Sequence, residues 1–86
     1  SFSNEGILEV WYAIKKNFRE KGYGEKILAE ITPYLIEHVQ GLNDIELKID
    51  KNNKASKKVA ERNGYLLEES DKDLEIDIYH YFGRKR

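Results

Sequence analysis

Six consecutive residues, Arg19-Glu20-Lys21-Gly22-Tyr23-Gly24, have the chemistry of an anion cradle. They follow an apolar run, Ile7 to Ile14, and open a helix-like run, Glu25 to Val39. The first turn of a helix has unpaired N–H groups and a partial positive charge. Gly22 and Gly24 carry no side chain to hold a phosphate away from those amides. Arg19 adds a guanidinium that can grip the same anion with two hydrogen bonds. Arg19 to Gly24, at the end of the polar loop Lys15 to Gly24, therefore reads as a phosphate cradle, although the same glycines also suit a plain strand-to-helix turn. A dinucleotide-binding loop fits less well, because it wants a third glycine where Ile27 stands. No Gly-Lys-Ser/Thr phosphate loop is present.

The elements that must position this loop follow from periodicity. Ile7 to Ile14 is rich in branched and aromatic residues, and only Glu9 interrupts it. It predicts a strand buried on both faces. Apolar residues at Ile27, Leu28, Ile31, Leu35 and Val39 have helical spacing, and Gly41 suits the helix end. Pro33 removes a backbone donor and crowds the preceding turn, at roughly 3 kcal/mol in a helix interior. A kink is expected there, or a restart with Thr32 as cap. Ile45, Leu47 and Ile49 alternate with Glu46, Lys48 and Asp50, the pattern of a half-buried strand. Asn53 is a suitable cap for a short helix from Lys54 to Asn63, which Gly64 ends. Tyr65 to Glu69 and Leu74 to Phe82 predict two strands joined through Asp71-Lys72-Asp73. The order strand, helix, strand, helix, strand, strand predicts a single α/β (α+β) domain with a mixed sheet. Its first half is a right-handed parallel crossover.

Composition excludes several functions. The chain has 86 residues and a net charge of −1, which disfavours general nucleic-acid binding. The basic Gly83 to Arg86 tail is too short to change that. There is no cysteine, so disulfide and thiolate chemistry are excluded, and a reducing cytoplasm is the expected compartment. No apolar stretch approaches the ~20 residues of a membrane span. No signal peptide is visible. The two histidines, His38 and His80, read as a helix-end residue and a core residue. No cluster has metal-ligand spacing. The acidic set Glu68, Glu69, Asp71, Asp73, Glu75 and Asp77 fits a solvated hairpin as well as a surface attracting a cationic amine.

Arg19-x-x-Gly22-x-Gly24 resembles the R/Q-x-x-G-x-G/A signature of the GNAT superfamily of N-acetyltransferases. Asn53-Lys54-Ala55-Ser56, followed by Val59 to Asn63 and Gly64-Tyr65, is similar to that superfamily's second landmark. Leu8 to Ile14 resembles the strand before the loop, most of all in the branch that acetylates ribosomal-protein N-termini. The resemblance covers about Ile7 to Phe82. It implies acetyl-CoA (coenzyme A) as cofactor, with the pyrophosphate on Arg19, Glu20, Lys21, Gly22, Tyr23 and Gly24. The pantetheine would lie between splayed parallel strands, pairing with the backbone of Ala13 and Ile14, and Asn53 would contact the cofactor. A backbone N–H near Tyr12 or Ala13 would polarise the thioester carbonyl. The reaction implied is acetyl transfer to a primary amine of a protein N-terminus, a polyamine or an amino sugar.

That reaction needs a base for the amine and an acid for the departing thiolate. Many superfamily members supply the acid as a tyrosine four residues after the position of Ser56, where this chain has Ala60. Ser56 is then the favoured donor, and Glu9 is the candidate base. Family members usually begin with two further strands and one or two helices that line the amine site. This chain, which starts with Ser and not Met, therefore resembles the C-terminal, cofactor-binding half of a domain. The Ile7–Ile14 strand would lack its neighbour and expose an edge, so a homodimer or a partner chain is expected to cover it. The opposing expectation is a CoA-binding or structural remnant without turnover.

Overall fold

Alternation and helical spacing set the architecture of the computed structural model, which describes residues 6–13 and 23–82, with the backbone alone for 23–25. The elements are β1 (Ile7–Trp11), α1 (Tyr23–His38), β2 (Asp44–Asp50), α2 (Lys54–Arg62), β3 (Tyr65–Asp71) and β4 (Ile76–Tyr81). The strands form one mixed sheet in the order β1-β2-β4-β3. β1 and β2 are parallel, from Ile7 opposite Asp44 to Trp11 opposite Lys48. β4 is antiparallel to both β2 and β3. The fold class expected from the sequence is the one observed.

Successive strand residues point to opposite faces. Ile45, Leu47 and Ile49 are buried on the face that meets Leu28 of α1 and Val59 and Ala60 of α2, and Tyr65 and Tyr79 complete this core. The opposite face carries Glu9 and Trp11 from β1, Glu46 and Lys48 from β2, and Ile78 and His80 from β4. Neither helix packs there.

Three expectations need correction. β1 is shorter than Ile7–Ile14 and is not buried on both faces. Ile7 to Val10 are half-buried and Trp11 is 65% exposed. Among the described residues β1 pairs on one side only, with β2, so it is not enclosed by strands on both edges. Helix α1 does not restart at Thr32 but runs unbroken through Pro33. The carbonyl that loses its donor is that of Ala29, which is exposed and can bond to water. Thr32 is buried instead, and its hydroxyl bonds the Tyr65 hydroxyl at 2.8 Å. Finally, β4 begins at Ile76 and not Leu74, which is exposed in the turn.

Helix α2 is capped as expected: the Asn53 side-chain oxygen accepts from the Ser56 N–H at 3.1 Å. Gly64, at φ 89°, ends it in the left-handed region. The β3–β4 turn is built by Asp71, whose carboxylate accepts from the N–H groups of Asp73 and Leu74, both at 3.0 Å. The same turn forces Glu75 to φ 53°. A left-handed non-glycine residue costs about 1–2 kcal/mol, and glycine costs about 0.5–1 kcal/mol in lost freedom. Glu75→Gly is therefore expected to stabilise the domain by about 0.5–1 kcal/mol, read as a rise of a few degrees in Tm.

The acidic set divides in two. Glu68, Glu69, Asp73 and Glu75 are exposed. Asp77 is buried, with Lys57 Nζ at 2.7 Å and the Ser70 hydroxyl donating at 2.7 Å. Burial alone would raise the Asp77 carboxyl, but the hydrogen bonds from Lys57 and Ser70 outweigh it and hold the group below its usual value. A depressed carboxyl stabilises the fold above the unfolded-chain value near ~3.9 and ceases to do so as pH falls through the folded value. Stability should thus drop below about pH 4, and Asp77→Asn should flatten that acid limb in urea titrations at stepped pH.

Candidate functional site

The parallel pair β1–β2 stops before β2 does. Among the described residues the last bond of its ladder runs from the Tyr12 N–H to the Lys48 carbonyl at 3.0 Å. Beyond it Ala13 leaves the sheet, exposed. β2 continues through Ile49 and Asp50, held from its other side by Asp77 and Ile76 of β4. Among the described residues the pairing ends two residues short of the carboxyl end of β2, the end at which open α/β sheets bind ligands.

An apolar cleft of about 150 Å³ lies between this pair and α1, lined by Val10, Tyr12, Leu28, Ile31, Leu47 and Tyr65 among others. It exists because α1 covers β1 loosely: Ile27 and Ile31, whose spacing marks them as core, remain largely exposed. The floor is fixed by Tyr65, whose hydroxyl bonds Thr32. Burial pushes the Tyr65 phenol up to about 12, with Tyr81, Asp44 and Tyr12 adding to the effect and the Thr32 bond opposing it. Tyr65 therefore stays a neutral, protonated phenol at physiological pH.

On the face away from the helices a chain of ionisable side chains crosses three strands. His80 Nδ1 lies 2.6 Å from an Asp44 carboxylate oxygen and its Nε2 lies 3.4 Å from Glu46. Lys48 Nζ is 4.0 Å from the other Glu46 oxygen and 3.1 Å from Glu9. The same ammonium stands 5.4 Å from the centre of the Trp11 ring, within cation–π range.

A protein-family profile described as "Acetyltransferase (GNAT) domain" matches residues 1–66. The chain belongs to the GNAT acetyltransferase family. No curated protein and no solved structure matches it. The GNAT assignment makes this an acyltransferase domain, and its mixed sheet with two helices is consistent with part of a GNAT fold. The match extends from before β1 to the first residues of β3, so it includes both landmarks of the sequence.

The predicted site residues of this GNAT domain are placed unevenly. Ile14, Arg19, Glu20, Lys21 and Gly22 lie outside the described residues. Tyr23 and Gly24 form the start of α1, so a helix does open where the glycine run ends. Ala13 stands just past the end of the β1–β2 ladder, and Asn53 caps α2. Ser56 is 0% exposed, in the first turn of α2. Glu9 is half-buried on the bare face against Lys48. The two candidate catalytic residues therefore sit on opposite sides of the sheet.

The Thr32–Tyr65 bond and the Lys48–Glu9 pair have no counterpart in the sequence reading. Lys48 had a signal in the alternation of β2, but its pairing with Glu9 depends on strand register, which no local pattern specifies. Among the described residues no cluster can hold a metal ion, and no helix is long and apolar enough to cross a membrane.

Proposed function

We propose that this domain is the cofactor-binding half of an N-acetyltransferase, of the branch that acetylates ribosomal-protein N-termini, transferring acetyl from acetyl-CoA to a primary amine. One observation carries the reading: β1 stops pairing at Trp11 while β2 runs on to Asp50, and an apolar cleft lies beneath. A parted parallel pair offers backbone amides to an extended polar chain, and the cleft accepts the apolar part of a thioester. The residues present fit acetyl-CoA in kind: amides at the start of α1 and a glycine run for the diphosphate, Asn53 at the far side of β2, and Val10, Leu47 and Ile31 for the apolar segment. Bound there, acetyl-CoA supplies an activated acyl group.

The chain's own residues do the rest. The Tyr12 N–H is taken by the Lys48 carbonyl, so the backbone N–H of Ala13 is the one that would donate to developing charge on the carbonyl. Glu9, on the face away from the helices, accepts the proton that makes the amine a nucleophile. Ser56 is the candidate proton donor by family position, and reaching that role requires its hydroxyl to leave full burial. The acceptor is a protein N-terminus, a polyamine or an amino sugar. A second chain, a copy or a different partner, covers the β1 edge.

Calorimetric titration with acetyl-CoA tests the cofactor, and thiol release against a panel of amines tests turnover. Sedimentation tests the edge, and a monomer at high concentration would remove the partner. No heat and no rise in Tm with acetyl-CoA would end the reading. Ala60, where many relatives carry a tyrosine, and the enclosure of Ser56 favour a second reading: a CoA-binding or structural remnant. Binding without thiol release would select it.

A further inference from the structure

The cleft between α1 and the β1–β2 pair is larger than an acetyl group needs. It holds about 150 Å³. A cavity of that volume with hydrocarbon walls stays dry and takes up a molecule as large as benzene. An acetyl methyl would leave most of it empty, and pockets for whole ligands begin at about 300 Å³. The walls are almost wholly carbon, and the Tyr65 hydroxyl is engaged by Thr32. A charged or polar group would find no partner there, which is costly. Leu28, Ile45, Leu47 and Tyr65 make buried, fixed walls, while Ile27 (58% exposed) and Ile31 (44% exposed) form the rim.

Close packing would ordinarily shut such a void, and the Thr32–Tyr65 bond opposes that. Tyr65 opens β3, at the sheet edge opposite β1, and its ring centre lies 5.2 Å from that of Tyr81. The bond ties α1 toward that side of the sheet. Moving α1 onto β1 would stretch it and leave two buried hydroxyls unpaired. We infer that the cleft is a binding site for a compact, uncharged hydrocarbon group of about six carbons. The site follows from the cleft alone. Two sources carry such a group: a free neutral molecule, or the acyl chain of a thioester longer than acetyl. The second source rests on the proposed thioester binding, and the first does not.

Benzene is the probe. Titrated into methyl-labelled protein, it should give saturable NMR shifts at Val10, Leu28, Ile31 and Leu47, half-complete at about 1 mM. Leu74, exposed in the β3–β4 turn, is the reference for unspecific contact. Benzoate, the same ring with a charge, should bind more weakly by about tenfold or more. Ile27→Trp places a large ring at the exposed rim and should abolish the Leu28 and Leu47 shifts, and Ile31→Trp is a second plug if the first does not fold. Calorimetry with acetyl-, butanoyl- and hexanoyl-CoA then separates the sources. An acyl chain in the cleft predicts binding about fourfold tighter per added methylene. Equal affinities along that series, with benzene bound, assign the site to a free molecule. No heat with any thioester, with benzene bound, ends the cofactor reading and leaves the site standing. Benzene shifts that are absent from the cleft, no larger than at Leu74, or unchanged by both plugs overturn the inference, and heat with acetyl-CoA then leaves the cofactor reading intact.

Discussion

Gly22→Glu is expected to weaken acetyl-CoA binding by more than a hundredfold, with Tm changed by only a degree or two. A carboxylate among amides that would face a diphosphate brings like charges to within a few ångströms. At about 4 Å each such pair costs roughly 1–4 kcal/mol between the dielectric of water and that of a protein surface. The added side chain also fills the approach that glycine leaves open. Both effects act on the ligand and neither on the core, which is made by Leu28, the β2 face, Tyr65 and Tyr79. Gly22→Ala, which adds bulk without charge, should fall between the two. Calorimetry on the three proteins at one salt concentration separates charge from bulk, and unchanged affinity in Gly22→Glu would remove the loop from the site.

The second large effect is structural. Gly6, just before β1, has φ 79°, and its carbonyl accepts from the N–H groups of Asn43 at 2.8 Å and Asp44 at 3.2 Å. A Cβ at Gly6 would collide with the Gly41 carbonyl oxygen and come within 2.7 Å of the Asn43 amide nitrogen. Gly6→Ala therefore combines a left-handed penalty of about 1 kcal/mol with a backbone clash, for a loss of about 3 kcal/mol or more. Domains of this size hold only about 4–13 kcal/mol in total. The drop in Tm should exceed about 12 °C. Gly41 is the internal control: its φ is 76°, but nothing lies within 4 Å of the added atom. Gly41→Ala should cost only about 1 kcal/mol, and equal losses at the two positions would show that the clash is relieved by a shift of the chain.

What local pattern determines, the sequence showed. The 2-residue period of Ile45, Leu47 and Ile49, the Asn53 cap and the Gly64 stop each act within a few residues, and each is present in the fold. The family landmarks were legible for the same reason, since a glycine loop and a capped helix are short-range motifs. What depends on tertiary placement was not legible. Ile7 to Ile14 looked like a central strand because apolar content reports burial only when something covers both faces. Pro33 looked like a break because its cost depends on whether Ala29 meets water. Asp77 looked like one more surface acid, and only the pairing of β4 with β3 and the position of α2 bring Ser70 and Lys57 to it. Lys48 and Glu9 are 39 residues apart and meet through register alone.

The strand order has a consequence for assembly. β4, the last strand in the chain, is an interior strand, flanked by β2 and β3. β3 touches the rest of the sheet only through it. Any form of the chain that ends before Ile76 therefore lacks the strand that joins β3 to β2, and both of those strands lose a hydrogen-bonding partner together.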